Sequence, residues 1–221
     1  VVNHPDIDAV SFTGSTAGGK KIAETAGLKH LHLELGGNGA ALISPNADLR
    51  HAAEQAVQGA LNFSGQRCDA VSRVITVESV ADEFVFEASQ IVENTVYGDP
   101  RDEDTDIGPL INSDAVSFVR ELVDDAVNRG ASLISGGDAE GNVFRPTLLD
   151  FVPADARIMK EETFGPVVTV HRSPDFDSAI KTANDTEYGL DSCVFTRDLY
   201  EARDAAGRLH DGEITINSYP S

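Results

Sequence analysis

Short apolar strands alternate with amphipathic helices along the whole chain, and this alternation limits the possible folds more than any other sequence feature. Alternating or continuous apolar runs predict strands at residues 9–12, 31–35, 71–77 and 167–171. Segments with helical spacing of apolar residues lie between these strands. Strands and helices in alternation predict an α/β fold.

The clearest helical pattern runs from Asp48 to Leu61, because it starts with an acidic residue and keeps its apolar residues on one face. The same spacing recurs over residues 119–127, which end just before Gly130. Further helices are predicted at 176–184 and 198–209, with strands around Val194 and at 213–217. No internal repeat or low-complexity segment interrupts the pattern.

The chain has 221 residues, of which 41% are hydrophobic, enough for one substantial core or two modest ones. It contains no apolar run near the roughly 20 residues of a membrane helix, and its first residues do not resemble a signal peptide. These features predict no membrane partner and a cytoplasmic location. The two cysteines make a poor disulfide framework, so Cys193 is predicted on a buried strand and Cys68 as a free thiol.

The charge balance is strongly acidic, since 37 Asp and Glu face 17 Lys and Arg for a formal net charge of −20. Nucleic-acid binding depends on Lys and Arg that contact phosphates, so a nucleic-acid partner is not expected. Dispersed acidic residues with few lysines suit a protein that stays soluble in concentrated salt, where self-repulsion is screened. The composition therefore predicts a halophilic source.

Two short motifs predict a thiol nucleophile and a carboxylate base. Cys68 follows Gly65, Gln66 and Arg67, which offer small, polar and cationic neighbours to a thiolate. Glu34 precedes two glycines that would keep bulk away from its carboxylate, as a general base requires. The alternative for Cys68 is an ordinary core residue, because free cysteines are often buried.

A glycine-rich segment, residues 14–21, follows a predicted strand and precedes a predicted helix. Backbone N–H groups and the helix dipole would converge there on an anion, and a dinucleotide pyrophosphate fits this geometry. A nucleoside-triphosphate loop needs Ser or Thr after its Lys, whereas position 21 is Lys. The alternative is that the glycines serve only a tight turn and close helix packing.

The sequence supports a metal site less well than it supports the thiol nucleophile or the anion-binding turn. His30, His32 and Glu34 would share one face of a strand, but no ligand-spaced pair accompanies them, so no metal is predicted. The acidic segment 99–106 lacks the ligand spacing of a calcium loop and is interpreted as a solvated connector. No Gly-x-Ser-x-Gly elbow of a serine hydrolase is present.

The segment 161–166 places Glu162 and Phe164 before Gly165 and Pro166. Paired carboxylates are usually solvated. The glycine and proline nevertheless stiffen the loop, so one Glu could hydrogen-bond a ribose as acids do in nucleotide sites.

Taken in order, residues 12–15 with Gly19, 34–38, 65–68 and 162–166 resemble the motifs of the aldehyde dehydrogenase superfamily. The resemblance implies that residues 1–35 are the remnant of a Rossmann-like NAD(P)-binding domain and residues 36–221 a catalytic domain. The family's chains are roughly twice as long, and its oxyanion-hole Asn and cofactor-selecting strand have no counterpart here. Both ends are abrupt, which predicts a fragment.

The resemblance also implies roles. Cys68 would form a thiohemiacetal and then a thioester with an aldehyde, and Glu34 would activate the hydrolytic water. The cofactor would be NAD or NADP, and the complete protein a homodimer or homotetramer. The residues implied for cofactor binding are Gly14, Ser15, Gly19, Leu35, Gly36, Glu162 and Phe164.

Arg67 and Arg73 resemble the non-phosphorylating glyceraldehyde-3-phosphate branch of that superfamily, although semialdehyde and lactaldehyde branches carry similar segments. An Arg beside the nucleophile can pair with phosphate or carboxylate, which would imply an anionic aldehyde. The alternative is that Arg67 pairs with a carbonyl or an acid of the protein itself. Two other functions stay open at this point: a catalytically incomplete fragment that binds no cofactor, and a thioester or ester hydrolase that uses Cys68 and Glu34.

Overall fold

The computed structural model describes residues 1–220 and divides the chain into two compact units. The first unit is Val1–Gly37, and the second begins at Asn38. The division falls two residues after the boundary drawn from the sequence. Assigning one unit to cofactor binding and the other to catalysis stays a prediction.

The first unit is a single strand–helix–strand motif. Its strands are β1 (Ala9–Thr13) and β2 (His30–Glu34), and the helix α1 (Thr16–Ala26) connects them. The strands pair in parallel, with Ala9 opposite His30 and Thr13 opposite Glu34. Both predicted strands are present, but β1 continues one residue further to Thr13, and β2 begins one residue earlier at His30 and ends one residue before Leu35.

The second unit contains nine strands and five α-helices among the described residues. The strands are β3 (Gly39–Ile43), β4 (Val71–Val77), β5 (Ser132–Ser135), β6 (Ala139–Glu140), β7 (Val143–Phe144), β8 (Thr147–Asp150), β9 (Val167–Ser173), β10 (Asp191–Phe195) and β11 (Glu213–Ile216). The helices are α2 (Leu49–Leu61), α3 (Glu78–Asn94), α4 (Ser113–Asn128), α5 (Phe176–Ala183) and α6 (Leu199–Arg208). Short 3₁₀ segments cover Asn62–Gly65 and Arg157–Met159.

Seven of these strands form one sheet in the order β11-β10-β3-β4-β9-β8-β5, and only β5 runs antiparallel to its neighbour. Every residue of β3, β4 and β10 is buried, because helices cover both faces of the sheet. Ala40 and Leu42 face a core that includes residues of α4, α5 and α6. Ala41 and Ile43 face a core built with α2 and α3, as the two-residue period of a strand requires.

The predicted α/β class is confirmed, and several boundaries agree with the pattern. Asp48 caps α2 through its side chain, as its acidic position indicated, and Asp198 caps α6 in the same way. Cys193 is fully buried on β10, as predicted. Within the described part of the chain, no helix has both the length and the apolar character needed to cross a membrane.

Candidate active site

Cys68 lies in the turn that leads into β4. The backbone N–H of Ala70 donates to the carbonyl of Arg67 at 3.3 Å, which closes this turn around the cysteine. Cys68 is half-buried and its thiol is free. The preceding residues Phe63 and Ser64 adopt left-handed φ values of 54° and 60°, a conformation that non-glycine residues rarely hold. Such strain concentrates at functional loops.

Side-chain hydrogen bonds fix the loop before Cys68 to residues 108–111. Ser64 Oγ donates to the Gly108 carbonyl at 2.9 Å. The Gln66 amide donates to the Pro109 carbonyl at 3.4 Å and accepts from the Ile111 N–H at 2.8 Å. The thiol is therefore presented by a rigid loop.

The electrostatic surroundings of Cys68 differ from the electropositive setting that the sequence suggested. Arg67 turns to Asp69, with Nε–Oδ1 and Nη2–Oδ2 distances of 2.8 and 2.5 Å. Burial, followed by the negative charge of Asp69, raises the pKa of the Cys68 thiol, although the backbone N–H groups of Cys68 and Asp69 oppose this shift. Arg67 remains a cation beside the thiol, but its pairing with Asp69 balances the positive charge that the sequence suggested.

A buried carboxyl that sequence reasoning missed lies near the thiol loop. Asp191, the first residue of β10, is 4% exposed and neither side-chain oxygen has a hydrogen-bond partner within the described residues. Burial, together with the charges of Asp69, Asp211 and Glu213, raises its pKa to about 7. Its charge in turn raises the pKa of the Cys68 thiol. The signal in the sequence was an acid at the start of an otherwise apolar strand.

Arg73 lies inside the protein, which does not favour its predicted contact with an anionic substrate. Only 1% of its surface is exposed, and its guanidinium donates to the carbonyls of Asn38, Thr182 and Ala183 at 2.9, 3.3 and 3.0 Å. Burial lowers its pKa to about 10. Arg73 ties the start of β3 to the end of α5, because the three carbonyls occupy its donors.

The loop that contains Glu162 and Phe164 packs against the thiol loop. A Cβ added to Gly65 would lie 2.1 Å from the carbonyl oxygen of Gly165, so the two backbones touch. Phe164 has a left-handed φ of 48° and an exposed side chain. The structure thus brings two of the sequence motifs together, the one ending at Cys68 and the one beginning at Glu162.

The glycine-rich motif of the first unit forms a shorter turn than predicted. Helix α1 begins at Thr16, so Gly18 and Gly19 lie inside the helix and only Gly14 and Ser15 form the turn. Ser15 caps the helix by accepting from the Gly18 N–H at 3.2 Å, which explains the early start. Gly19 packs on Leu35, because a Cβ there would lie 2.5 Å from Leu35 Cδ2.

Glu34 belongs to the first unit, where it ends β2, and Gly36 follows in the next loop. The Glu34 carbonyl accepts from the Gly14 N–H at 3.0 Å. His30, His32 and Glu34 share the exposed face of the strand, and His32 Nε2 lies 3.3 Å from Glu34 Oε1. Among residues 1–220, no group of three or more His, Cys, Asp or Glu side chains could hold a metal ion.

Comparisons of sequence and of structure with known proteins point to the same family. A sequence model of the aldehyde dehydrogenase family matches residues 1–221. The chain is 41% identical to the NADP-dependent glyceraldehyde-3-phosphate dehydrogenase of Streptococcus equinus, over 99% of this chain and 46% of that protein. It therefore spans about half the length of such relatives.

Two solved structures share the fold. The NADP complex of NADP-dependent glyceraldehyde-3-phosphate dehydrogenase from Bacillus halodurans C-125 superposes with a TM-score of 0.97 at 41% identity, over 100% of this chain and 46% of that one. The NAD+ complex of betaine aldehyde dehydrogenase from Staphylococcus aureus gives 0.95 at 34% identity, again over 100% of this chain and 46% of that one.

Proposed function

The chain belongs to the aldehyde dehydrogenase family, and on that basis we propose that the complete natural protein oxidises an aldehyde to a carboxylic acid with NAD or NADP. By the complete natural protein we mean the whole reading frame that encodes this chain. The observation that carries the proposal is the free thiol of Cys68 on a strained, hydrogen-bonded loop that packs against the Glu162 loop.

In the proposed reaction, the Cys68 sulfur attacks the aldehyde carbon and forms a thiohemiacetal. The backbone N–H of Cys68 stabilises the negative oxygen as that bond forms. Loss of a hydride and of the hydroxyl proton leaves a thioester on the sulfur. Glu34 then takes a proton from water, whose oxygen attacks the thioester and releases the acid and the thiol.

The residues of the first unit suit a dinucleotide. Gly14 and Ser15 lie before the N-terminus of α1, and the first turn of that helix, which holds Gly18 and Gly19, carries no acidic side chain. The helix dipole and free N–H groups there would hold a pyrophosphate. Glu162 and Phe164 would contact the nicotinamide ribose, and Leu35 and Gly36 would line the site. A nicotinamide held by these residues would supply the hydride acceptor.

The direct test is nicotinamide reduction at 340 nm by a panel of aldehydes in molar salt. We expect turnover by the complete natural protein and none by Cys68→Ala. Cys193→Ala is the matched control, because it removes a thiol buried on β10, and it should keep most of the activity. Turnover that survives Cys68→Ala would overturn the mechanism.

The same assay distinguishes the proposed dehydrogenase from the two alternative functions. A hydrolase would cleave thioesters through Cys68 without any nicotinamide reduction. A noncatalytic protein would show neither reaction and no cofactor binding.

The acidic composition leads us to infer that the protein requires salt. The net charge of −20 makes like charges repel one another and weakens the fold at low ionic strength. At 0.01 M salt the screening length is about 30 Å, so acidic side chains closer than that still repel. Thermal unfolding at increasing KCl tests this, and a midpoint that does not rise with salt would contradict it. A homodimer or homotetramer and a cytoplasmic location stay predictions, the first of which sedimentation velocity can check.

A further inference from the structure

We propose that Asp69 sets the substrate charge preference at Cys68, so that the site takes uncharged aldehydes in preference to anionic ones. This inference rests on the proposed function, because it concerns the aldehyde that the same thiol would attack. It replaces the expectation that Arg67 makes the site selective for anions.

The geometry of Arg67 is the first argument. Its Nε and Nη2 both donate to the Asp69 carboxylate, in the paired arrangement that an anionic substrate would otherwise occupy. Nη2 also lies 3.3 Å from the Pro220 carbonyl, and the guanidinium carbon lies 5.8 Å from the Phe63 ring centroid. An incoming phosphate or carboxylate could pair with this edge of Arg67 only by displacing Asp69.

The partial burial of this ion pair is the second argument. The side chains of Arg67 and Asp69 are 18% and 27% exposed, so water replaces the lost contacts only in part. Hydrogen bonding to Asp69 raises the pKa of Arg67, so the guanidinium stays charged within the pair. Breaking it to bind an anion would leave a carboxylate without its partner beside the nucleophile.

The charged side chains that raise the pKa of the Cys68 thiol are both acidic, Asp69 and Asp191. The charge of Asp191 on β10 raises the pKa of the Cys68 thiol, and the charges of Asp211 and Glu213 raise the pKa of Asp191. Arg67 is paired with Asp69, and the other cation of this cluster, the buried Arg73, acts on Asp211. Above the pKa of Asp191, about 7, a negatively charged aldehyde would approach a thiol with net negative surroundings, whereas an uncharged aldehyde meets no such penalty.

Two alkylating reagents measure this charge preference without any dehydrogenase activity. Iodoacetate and iodoacetamide both transfer a carbon to the thiolate with loss of iodide, but only iodoacetate is an anion. The ratio of their rates at Cys68, read by peptide mass spectrometry, cancels differences in thiolate fraction. The measurement uses the complete natural protein at the lowest salt concentration that keeps its circular dichroism native.

We expect the iodoacetate-to-iodoacetamide ratio at Cys68 to fall below that of N-acetylcysteine amide. Asp69→Asn should raise the ratio about fivefold, the effect of one charge at contact distance in water. Arg67→Gln should lower it, because Asp69 then lacks its partner. Asp124→Asn is the charge-matched control on the exposed face of α4 and should leave the ratio unchanged.

In the dehydrogenase assay, Asp69→Asn should raise kcat/KM for glyceraldehyde 3-phosphate relative to glyceraldehyde. A wild-type ratio above that of the model thiol would overturn the proposal, and so would a folded Asp69→Asn variant with an unchanged ratio. Absence of turnover with a shifted alkylation ratio would instead contradict the proposed function and leave the charge assignment standing.

Discussion

Gly65 and Gly165 lie backbone against backbone, so closely that a methyl group on Gly65 would fall 2.1 Å from the carbonyl oxygen of Gly165. Gly65 also has a φ of 69°, which L-residues rarely adopt. On its other side, Gly165 packs on Val119 of α4, where an added Cβ would meet Val119 Cγ2 at 2.5 Å. This stack holds the thiol loop against the Glu162 loop.

Gly65→Ala should therefore lower both stability and thiol reactivity. Left-handed strain costs about 1 to 2 kcal/mol and overpacking about 1 to 3 kcal/mol more. Gly141→Ala is the matched control, because Gly141 has a φ of 56° and open space around it, so only the strain applies. Urea unfolding compares the two, and equal losses would show that the contact with Gly165 carries no energy.

Ser15→Asp should separate helix capping from cofactor binding. Asp caps helices as well as Ser does, so the free energy of unfolding should change by less than about 0.5 kcal/mol. The new charge would repel a pyrophosphate at the start of α1, and the Kd for NAD or NADP should rise at least about tenfold. Calorimetric titration measures it, with Ser15→Thr as the uncharged control. An unchanged Kd would place the pyrophosphate elsewhere.

Asp191 should make stability depend on pH in a direction opposite to that of ordinary carboxylates. Its pKa is about 7 when folded and near 3.9 when unfolded, so between these values only the folded protein keeps the proton. The free energy of unfolding then falls as the pH rises from about 4 to about 7, by up to about 4 kcal/mol.

Asp191→Asn removes that component, so the variant should gain stability relative to wild type as the pH rises. Urea unfolding of both proteins at pH 5 and pH 8 provides the comparison. Parallel pH dependences would show that the carboxyl titrates normally and is hydrated in solution.

Glu34→Gln should uncouple the two halves of the proposed reaction. The first half needs the thiol and the cofactor, whereas hydrolysis needs a base, so the variant should release about one equivalent of reduced nicotinamide per thiol and then turn over slowly. Stopped-flow absorbance resolves the burst. Glu24→Gln, an exposed change on α1, should behave like wild type. Loss of the burst itself would assign Glu34 to an earlier step.

The sequence was informative where one local rule decides the structure. The apolar run at residues 71–77 located β4, and the acidic residue Asp48 located the start of α2. Helix α3 was missed although Ala81, Phe84, Ala88 and Val92 repeat at helical spacing, and the short, exposed β5 offered no clear period.

The partner that each charged side chain takes in the folded protein set the limit for the site. The order of residues 65–68 suggested a cation beside the thiol, but only the folded turn shows that Asp69 neutralises Arg67. Arg73 looked equally available, yet its strand carries it into the interior, where backbone carbonyls take its donors. Side-chain type could be judged from the sequence, whereas the partner of each charge could not.

The place of β3 in the sheet also bears on how the protein is made. Its neighbour β10 pairs with it residue by residue, with Ser192 opposite Ala40, although the two are 152 positions apart. At translation rates of about 5 to 20 residues per second, the ribosome needs about 8 to 30 s to supply that partner. During this interval an apolar strand edge is open to other nascent chains, so crowded synthesis should favour aggregation through β3 and chaperones that shield it should raise the yield.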